Sequence, residues 1–469
     1  MFLPPIFSVT KTCDLHRLRT EPQDAGASIL SKKAIATMTP DTGAPRSVWC
    51  ETAPPAAPAP PLASDLRATA AIVGAGYTGL STAHHLAARG IDCVVLDARQ
   101  PGWGASGRNG GMLVPRPKKP LVAIEAHWGR DEALRQRRLL HEAIGAVSAL
   151  VADHGLDCDF ARDGYLAAAH TPAALAALRA EVEWISGVGG ETGVRLLSRD
   201  AIAGELGGGH YHGGYLDPLG ARIQPLAYSR GLAASLAARG VPVYGDSPVT
   251  AMHAAEGGIS LRTAHATVTA EQVVLATNGY TPPGLFPGRP ERRIVAVSSS
   301  AVATAPLPGN LIGRILPRGR TMSDTKHLLN WVRLSPDNRV VFGGRGDITG
   351  RRDDAASYRG IESALHALYP DLAGVPVTHR WSGLVAVTAD HWHHLGSLAP
   401  RVHFAMGYGG RGVAMSTLMG RYLAGLVAGE RCDLGPVTAA FPPVPFHAFR
   451  VPGMKLTAAW YQVKDRLGI

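Results

Sequence analysis

The sequence predicts an α/β fold in which a Rossmann-like dinucleotide-binding domain is interleaved with a second domain built on a mixed or antiparallel sheet. Three observations predict it. A strand, a glycine-rich turn, a helix and a second strand stand in register near residue 70; the regular β/α alternation then breaks off; and elements of the nucleotide type resume only after long insertions.

The first strand is Ala68-Thr69-Ala70-Ala71-Ile72-Val73, a run of small and β-branched residues suited to a sheet buried on both faces. It ends in Gly74-Ala75-Gly76-Tyr77-Thr78-Gly79. In that spacing Gly74 permits the tight turn, Gly76 lets a pyrophosphate approach the backbone, and Gly79 lets the helix pack closely on the strand. The helix, residues 77–89, stops at Gly90, and its positive end at Tyr77 and Thr78 is the place for a phosphate. Cys93-Val94-Val95-Leu96 forms the second strand, and Asp97, 18 residues beyond Gly79, sets a carboxylate where adenosine ribose hydroxyls would donate to it. GxGxxG alone is weak evidence; this βαβ setting makes it a nucleotide site.

A second glycine loop follows, Gly104-Ala105-Ser106-Gly107-Arg108-Asn109-Gly110-Gly111. Consecutive small residues beside Ser106, Arg108 and Asn109 offer backbone N–H groups and a cation to a diphosphate, with a plain surface loop as the alternative. Ala/Leu-rich helices then run to about residue 190. A helix over 226–239 and strands around Val249 and 273–275 read as the nucleotide domain resuming, whereas 294–304, 327–334 and 339–342 read as strands of a second sheet. The last large element, a helix over 412–429, is entered from Gly407-Tyr408-Gly409-Gly410-Arg411. The expected partition is a largely extended or disordered tail over 1–66, nucleotide-domain pieces at 67–118, 195–285 and 376–435, a helical insertion at 119–194, the substrate-domain sheet at 286–375, and a C-terminal tail over 436–469.

Composition narrows the class. The 469 residues are 46% hydrophobic and 18% charged, an ordinary globular balance. The formal charge of +10 is spread along the chain rather than gathered into a phosphate track, so no nucleic-acid partner is expected. Five cysteines, Cys13, Cys50, Cys93, Cys158 and Cys432, are odd in number, scattered and never spaced as CxxC, which fits a reducing cytoplasm. No apolar run approaches the roughly 20 residues of a membrane span. Residues 2–7 are short and broken by prolines, which argues against a signal peptide, and Met38 offers an alternative start to Met1. His391, His393 and His394 cluster beside a single carboxylate, Asp390, with no Cys at ligand spacing, so no metal is expected.

The pairing of the 74–79 turn with the 104–111 loop resembles the D-amino-acid oxidase superfamily of FAD-dependent oxidoreductases, and within it the γ-glutamylputrescine oxidoreductase branch, over almost the whole chain after about residue 46. Ala276-Thr277-Asn278-Gly279-Tyr280 resembles a strand-end motif of that family that passes near the nucleotide, with Val249 near the adenine. Trp381-Ser382-Gly383, Thr388-Ala389-Asp390 and the 407–413 segment, through Gly407, Gly410, Gly412 and Val413, resemble its flavin-closing segments. The resemblance implies FAD as cofactor and the interleaved architecture shared with glutathione reductases. It implies oxidation of an amine C–N bond: hydride passes from the amine-bearing carbon to flavin N5, and water hydrolyses the imine to an aldehyde. A helix N-terminus near Gly412 suits that chemistry, because reduction places negative charge on the flavin pyrimidine edge.

Two departures qualify it. Sarcosine oxidases of the superfamily anchor flavin through a Cys, where this chain has Ser382-Gly383-Leu384, so the FAD is expected to be noncovalent. Relatives that react with oxygen carry a Lys over the flavin, and the matched strand here, 339–345, has none, which leaves the electron acceptor open. For the carboxylate of a γ-glutamylputrescine-like amine, Arg333 and Arg345 on the second sheet are the candidates. A D-amino-acid or glycine-type oxidase or dehydrogenase, a non-catalytic flavin-binding protein and a nicotinamide dehydrogenase stand as alternatives, and the oligomeric state is open.

Overall fold

A computed structural model describes residues 47–344, 346–350 and 354–468. In chain order its strands are β1 (Leu66–Val73), β2 (Cys93–Leu96), β3 (Met112–Leu113), β4 (Tyr165–Ala168), β5 (Arg195–Leu197), β6 (Gly214–Asp217), β7 (Ala221–Arg222), β8 (Val243–Tyr244) and β9 (Ala251–Ala255). They continue as β10 (Gly258–Arg262), β11 (Thr267–Leu275), β12 (Ile294–Thr304), β13 (Thr321–Asp324), β14 (Trp331–Leu334), β15 (Val340–Gly344), β16 (Val377–Thr388), β17 (His394–Ala399) and β18 (Val402–Met406). The helices are α1 (Val48–Thr52), α2 (Tyr77–Ala87), α3 (Leu121–Trp128), α4 (Arg130–Asp153), α5 (Pro172–Gly187), α6 (Arg199–Leu206), α7 (Pro225–Ala238), α8 (Ala355–Leu368), α9 (Gly412–Val427) and α10 (Arg450–Leu467).

The first sheet has the order β17-β18-β11-β1-β2-β8, with the β9–β10 hairpin attached to β11. β1 pairs in parallel with β2 and β11, and its last residue, Val73, lies opposite Leu96 and Leu275. The three strands therefore end together, and the residues that follow them, Gly74, Asp97 and Ala276, emerge side by side at the edge where ligands of open α/β sheets bind. Alternation along β1 sends Ala70 and Ile72 into the core under the helices and Ala71 and Val73 into the core on the opposite face. Helices α2 and α9 pack so closely that a Cβ on Gly420 would lie 2.5 Å from the Ser81 side chain, and the Ser81 hydroxyl donates to Thr417 O at 2.6 Å.

The second sheet runs β16-β12-β15-β14-β13-β4-β6-β5, antiparallel throughout except for the parallel β13–β4 pair. It redraws two expected boundaries. Strands β5 and β6, inside the stretch read as the second nucleotide piece, belong to this sheet, as does β16 from the stretch read as the third. β6 joins it through β4 and β16 through β12, partners distant in sequence, and β5 joins only through β6, so local pattern carried no sign of which sheet they enter.

The termini also differ from the expected tails. From residue 47 onward the N-terminal stretch is docked: Trp49 is wholly buried edge-on to Trp381, at 6.3 Å between ring centroids, and its indole N–H donates to Asn109 O at 2.8 Å. The proline-rich arm beyond it is extended and mostly exposed, pinned where Ala59 N–H donates to Gln100 Oε1 and Leu62 N–H to Ser247 Oγ. At the other end, 450–467 is the helix α10. Residues 1–46, including Met38, lie outside the described residues.

Candidate active site

Each glycine of the first turn has a steric cause. Gly74 adopts φ +113°, and a Cβ there would meet Ala276 O at 2.9 Å; a Cβ on Gly79 would sit 1.9 Å from Gly74 O. Gly76 is the N-cap of α2 and has no side chain to cap it, so apart from Tyr77 N–H, which Ser106 takes, the first N–H groups of the helix stay available to an anion. Asp97 closes the turn from the side: Ala75 N–H donates to its Oδ2 at 2.6 Å and Arg99 N–H to its Oδ1 at 2.8 Å. Burial pushes the Asp97 carboxyl up to about 6 against those two bonds, so near neutral pH it is an ionised acceptor with lone pairs to spare.

The 104–111 loop is a built structure. Ala105–Gly107 forms a 3₁₀ turn, and Ser106 Oγ accepts from Tyr77 N–H at 3.1 Å, joining the two glycine loops. The Asn109 amide donates to Ala105 O, Ser106 O and the Tyr77 hydroxyl, each at 3.0 Å, while its Oδ1 accepts from Gly111 N–H at 2.7 Å. Arg108 donates to Trp103 O and Ser382 O, and Trp381 Nε1–H donates back to Arg108 O at 2.9 Å. Arg108 Nη2 is buried with no protein partner among the described residues, at a cavity wall.

The third glycine segment meets the same centre. The hydroxyls of Thr78 and Tyr408 share a hydrogen bond at 2.8 Å, and Asn278, at φ +44°, accepts from Gly407 N–H at 2.9 Å. Segments some 130 to 330 residues apart are thereby locked together. Helix α9 begins at Gly412 without a side-chain cap, and Gly409, Gly410, Arg411 and Val413 line the cavity, so the positive end of the helix faces it. Val249 is buried in the core on the far face of the first sheet.

The cavity has a volume of about 340 Å³ and lies between the 104–111 loop, the β12–β16 pair and the 409–413 segment. Its apolar wall includes Leu328, Leu329, Trp331 and Leu384; Ser298, Ser299, Ser300 and Ser323 supply hydroxyls. Among the described residues that line it, Arg108, Lys118 and Arg411 are cations and none is a carboxylate. Near Lys118, Arg116 keeps a buried Nε with no partner among the described residues. Desolvation in the cavity, then repulsion from Arg411 and Arg116, pushes the Lys118 ammonium down to about 8, although its side chain keeps contact with solvent.

One expected substrate contact is corrected. Arg333 is wholly buried and does not line the cavity. Its Nη1 donates to Gly111 O at 3.2 Å and Ile223 O at 2.5 Å, its Nε to Leu334 O, and its Nη2 to Asp159 Oδ2 at 3.0 Å, leaving nothing for a substrate. Burial lowers it to about 10 even so. Trp331 and Arg333 share one face of β14, against Gly110 and Gly111 respectively, but only Trp331 reaches the cavity, and Arg333 lies behind the second glycine loop. Arg345 lies outside the described residues. Sequence reasoning missed Lys118 and Arg116; the one available signal was the basic run Arg116-Pro117-Lys118-Lys119 directly after the second glycine loop. Of the histidine cluster, His394 pairs with Asp390 at 3.1 Å and His393 stacks on Tyr408. No three potential metal ligands converge among the described residues.

A parallel sheet presenting a glycine turn, with a second sheet closing a cationic cavity beside it, defines a two-domain dinucleotide-dependent oxidoreductase. The chain belongs to the DAO family of FAD dependent oxidoreductases, whose model matches residues 69–426. It is 34% identical over 403 residues to the γ-glutamylputrescine oxidoreductase of Escherichia coli K12, an alignment covering 85% of this chain and 93% of that protein. It is 31% identical over 423 residues to a probable oxidoreductase OrdL of Rhizobium meliloti, covering 89% and 97%. In fold it is similar to glycine oxidase from Geobacillus kaustophilus, with TM-score 0.68 and 21% identity over 80% of this chain and 98% of that one. L-proline dehydrogenase from P. horikoshii is similar too, with TM-score 0.67 and 18% identity over 79% and 96%. The protein is therefore an FAD-dependent oxidoreductase. Its residues fit that cofactor: an uncapped helix behind a glycine turn, an ionised Asp97 at the strand end, and an orphaned Arg108 nitrogen at the cavity wall.

Proposed function

We propose that the protein oxidises the C–N bond of an amine that also carries a carboxylate, a γ-glutamylputrescine-like compound. The observation that carries this reading is the cavity's charge: Lys118 and Arg411 stand at its wall with Arg116 near Lys118 and, among the described residues, no lining acid to neutralise them. The 34% identity to the E. coli enzyme supports the substrate class.

In this reading Gly74, Gly76, Tyr77, Thr78 and Gly79 would hold the adenosine half of a noncovalent FAD, Asp97 would accept from its ribose, and Val249, Ala276, Thr277 and Asn278 would contribute beside them. Ala105, Ser106, Arg108, Asn109, Gly110 and Gly111 would hold the diphosphate and ring, and Gly407, Gly410, Gly412 and Val413 would close the site on the pyrimidine side. When bound, FAD would supply the acceptor for the hydride of the amine-bearing carbon, and the resulting imine would be hydrolysed by water to an aldehyde. The chain's own contribution is placement. Arg411 and Lys118 hold the carboxylate end, the apolar wall of Leu328, Leu329 and Trp331 excludes water from the reacting carbon, and the positive end of α9 stabilises charge that develops opposite it. No carboxylate or neutral imidazole lines the cavity among the described residues, so the amine is taken up in its neutral form.

The test is a visible spectrum of the purified protein followed by anaerobic titration with γ-glutamylputrescine. A yellow protein that bleaches supports the reading; one that bleaches only with D-amino acids or glycine, or with nothing offered, refutes it. The cation assignment predicts that Arg411→Ala and Lys118→Ala raise KM at least about tenfold for a carboxylated amine and leave an uncharged amine nearly unaffected. Because the Lys118 charge is present below about pH 8 and lost above it, the preference in kcat/KM for the carboxylated over the uncharged amine should fall as pH rises through that value. A ratio that stays flat removes Lys118.

A further inference from the structure

Helix α10 shows three faces. Toward the body, Ala458 is buried, the Tyr461 ring stacks on His327 at 5.0 Å, and Asp465 accepts from the backbone N–H groups of His327 and Leu328 at 2.8 and 3.1 Å. On the opposite side Leu456, Trp460, Val463 and Leu467 are 72, 56, 43 and 66% exposed. Their spacing of four, three and four residues aligns them in one stripe along the helix. Phe449, directly ahead of the helix, and Phe446 extend it, at 68 and 84% exposure. Single exposed apolar residues are ordinary, but four large ones aligned along one helix, with two more exposed phenylalanines just ahead of it, mark a contact surface.

The flanks of the stripe say what it contacts. Lys455 and Arg466 border it on one side and Lys464 on the other, the last with its ammonium 5.9 Å from the Trp460 ring centroid. Within 450–467 the basic residues are Arg450, Lys455, Lys464 and Arg466, and the single acid, Asp465, is turned inward onto His327. We infer that α10 seats the protein on an anionic lipid surface, with the Leu456-Trp460-Val463-Leu467 stripe in the headgroup–acyl boundary and the three flanking cations on lipid phosphates. Aromatic and aliphatic side chains on one face with Lys and Arg beside them form the pattern of an interfacial helix. A second copy is the poorer occupant, because pairing two stripes would set these cations against each other with no acid on the outer face of α10 to answer them. The overall charge of +10 draws the whole molecule the same way. The helix is also tied to the oxidoreductase site: Asp465 holds the backbone of Leu328, and Leu328 and Leu329 line the cavity.

Flotation of the FAD-loaded protein with vesicles tests this. The protein should float with phosphatidylglycerol–phosphatidylcholine vesicles at low salt, float far less with phosphatidylcholine alone, and be released by high salt. Leu456→Asp combined with Val463→Asp should abolish flotation while the flavin band and turnover of a soluble amine are kept. Charge reversal at Lys455, Lys464 and Arg466 together should lower partitioning roughly 100-fold or more, at about fivefold per cation lost. A wild-type protein that stays in solution with anionic vesicles overturns the inference, as does a double aspartate variant that floats as well as wild type. A wild-type dimer that the double variant turns into monomer, with no flotation in either, assigns the stripe to a second copy and overturns it too.

Discussion

Gly76→Val is expected to give folded but colourless protein. A Cβ at residue 76 would meet Ser106 Oγ at 2.8 Å, and Ser106 Oγ is the acceptor that joins Tyr77 N–H to the second glycine loop. Two further methyl groups on that carbon would stand where the proposed pyrophosphate approaches the uncapped start of α2. Overpacking of this kind costs on the order of 1–3 kcal/mol, which weakens FAD by roughly 5- to 140-fold, and steric exclusion of the phosphate adds to it. Flavin absorbance per protein after gel filtration reads the outcome, with a thermal melt beside that of flavin-stripped wild type to show that the fold survives. Gly79→Val is the contrasting variant. Its Cβ would sit 1.9 Å from Gly74 O, inside the strand–helix contact, so soluble protein itself should be lost. Full FAD occupancy in Gly76→Val would sink the assignment of this turn.

Arg333→Ala should behave as a folding variant rather than a substrate variant. The guanidinium is wholly buried and bonded through Nε, Nη1 and Nη2, and it lies over the Trp49 ring at 5.1 Å. Removing one partner of a buried ion pair costs about 3–5 kcal/mol, because the remaining groups stay buried without their donor. Here the deserted groups include Gly111 O and Ile223 O, so the second glycine loop should loosen and FAD retention should fall with stability. Arg333→Lys should rescue little, since an ammonium cannot reproduce the planar fork that reaches Leu334 O, Ile223 O and Asp159 together. The check is a chemical denaturation curve combined with KM for carboxylated and uncharged amines. A stable variant whose KM rises for the carboxylated amine alone would return Arg333 to the substrate site.

Strand β2 and strand β12 stand where hydrophobic pattern puts them, and α2, α7 and α9 lie within two residues of their expected ends, because periodicity and glycine stops act over a few residues. Strands β5, β6 and β16 were legible as extended segments at best. Their membership of the second sheet depends on partners such as β4 and β12, which lie elsewhere in the chain. Trp49 sits next to a proline-rich, tail-like stretch, yet it is buried by Trp381 and Asn109, residues that nothing near position 49 announces.

The same division runs through the site. The sequence by itself determined the turn from Gly74 to Gly79 with its acid at Asp97, because strand, helix start, strand end and the sterics of Gly79 against Gly74 O all lie within about 30 residues of chain. Only the tertiary structure decided which arginine faces the cavity. Arg333 and Arg411 are alike as side chains, but Arg333 is closed in by Asp159, 174 residues away, and by Gly111, 222 away, whereas Arg411 is left at the open start of α9 beside Lys118. A guanidinium spends its donors on the nearest acceptors, and which acceptors are nearest is settled by how distant segments pack.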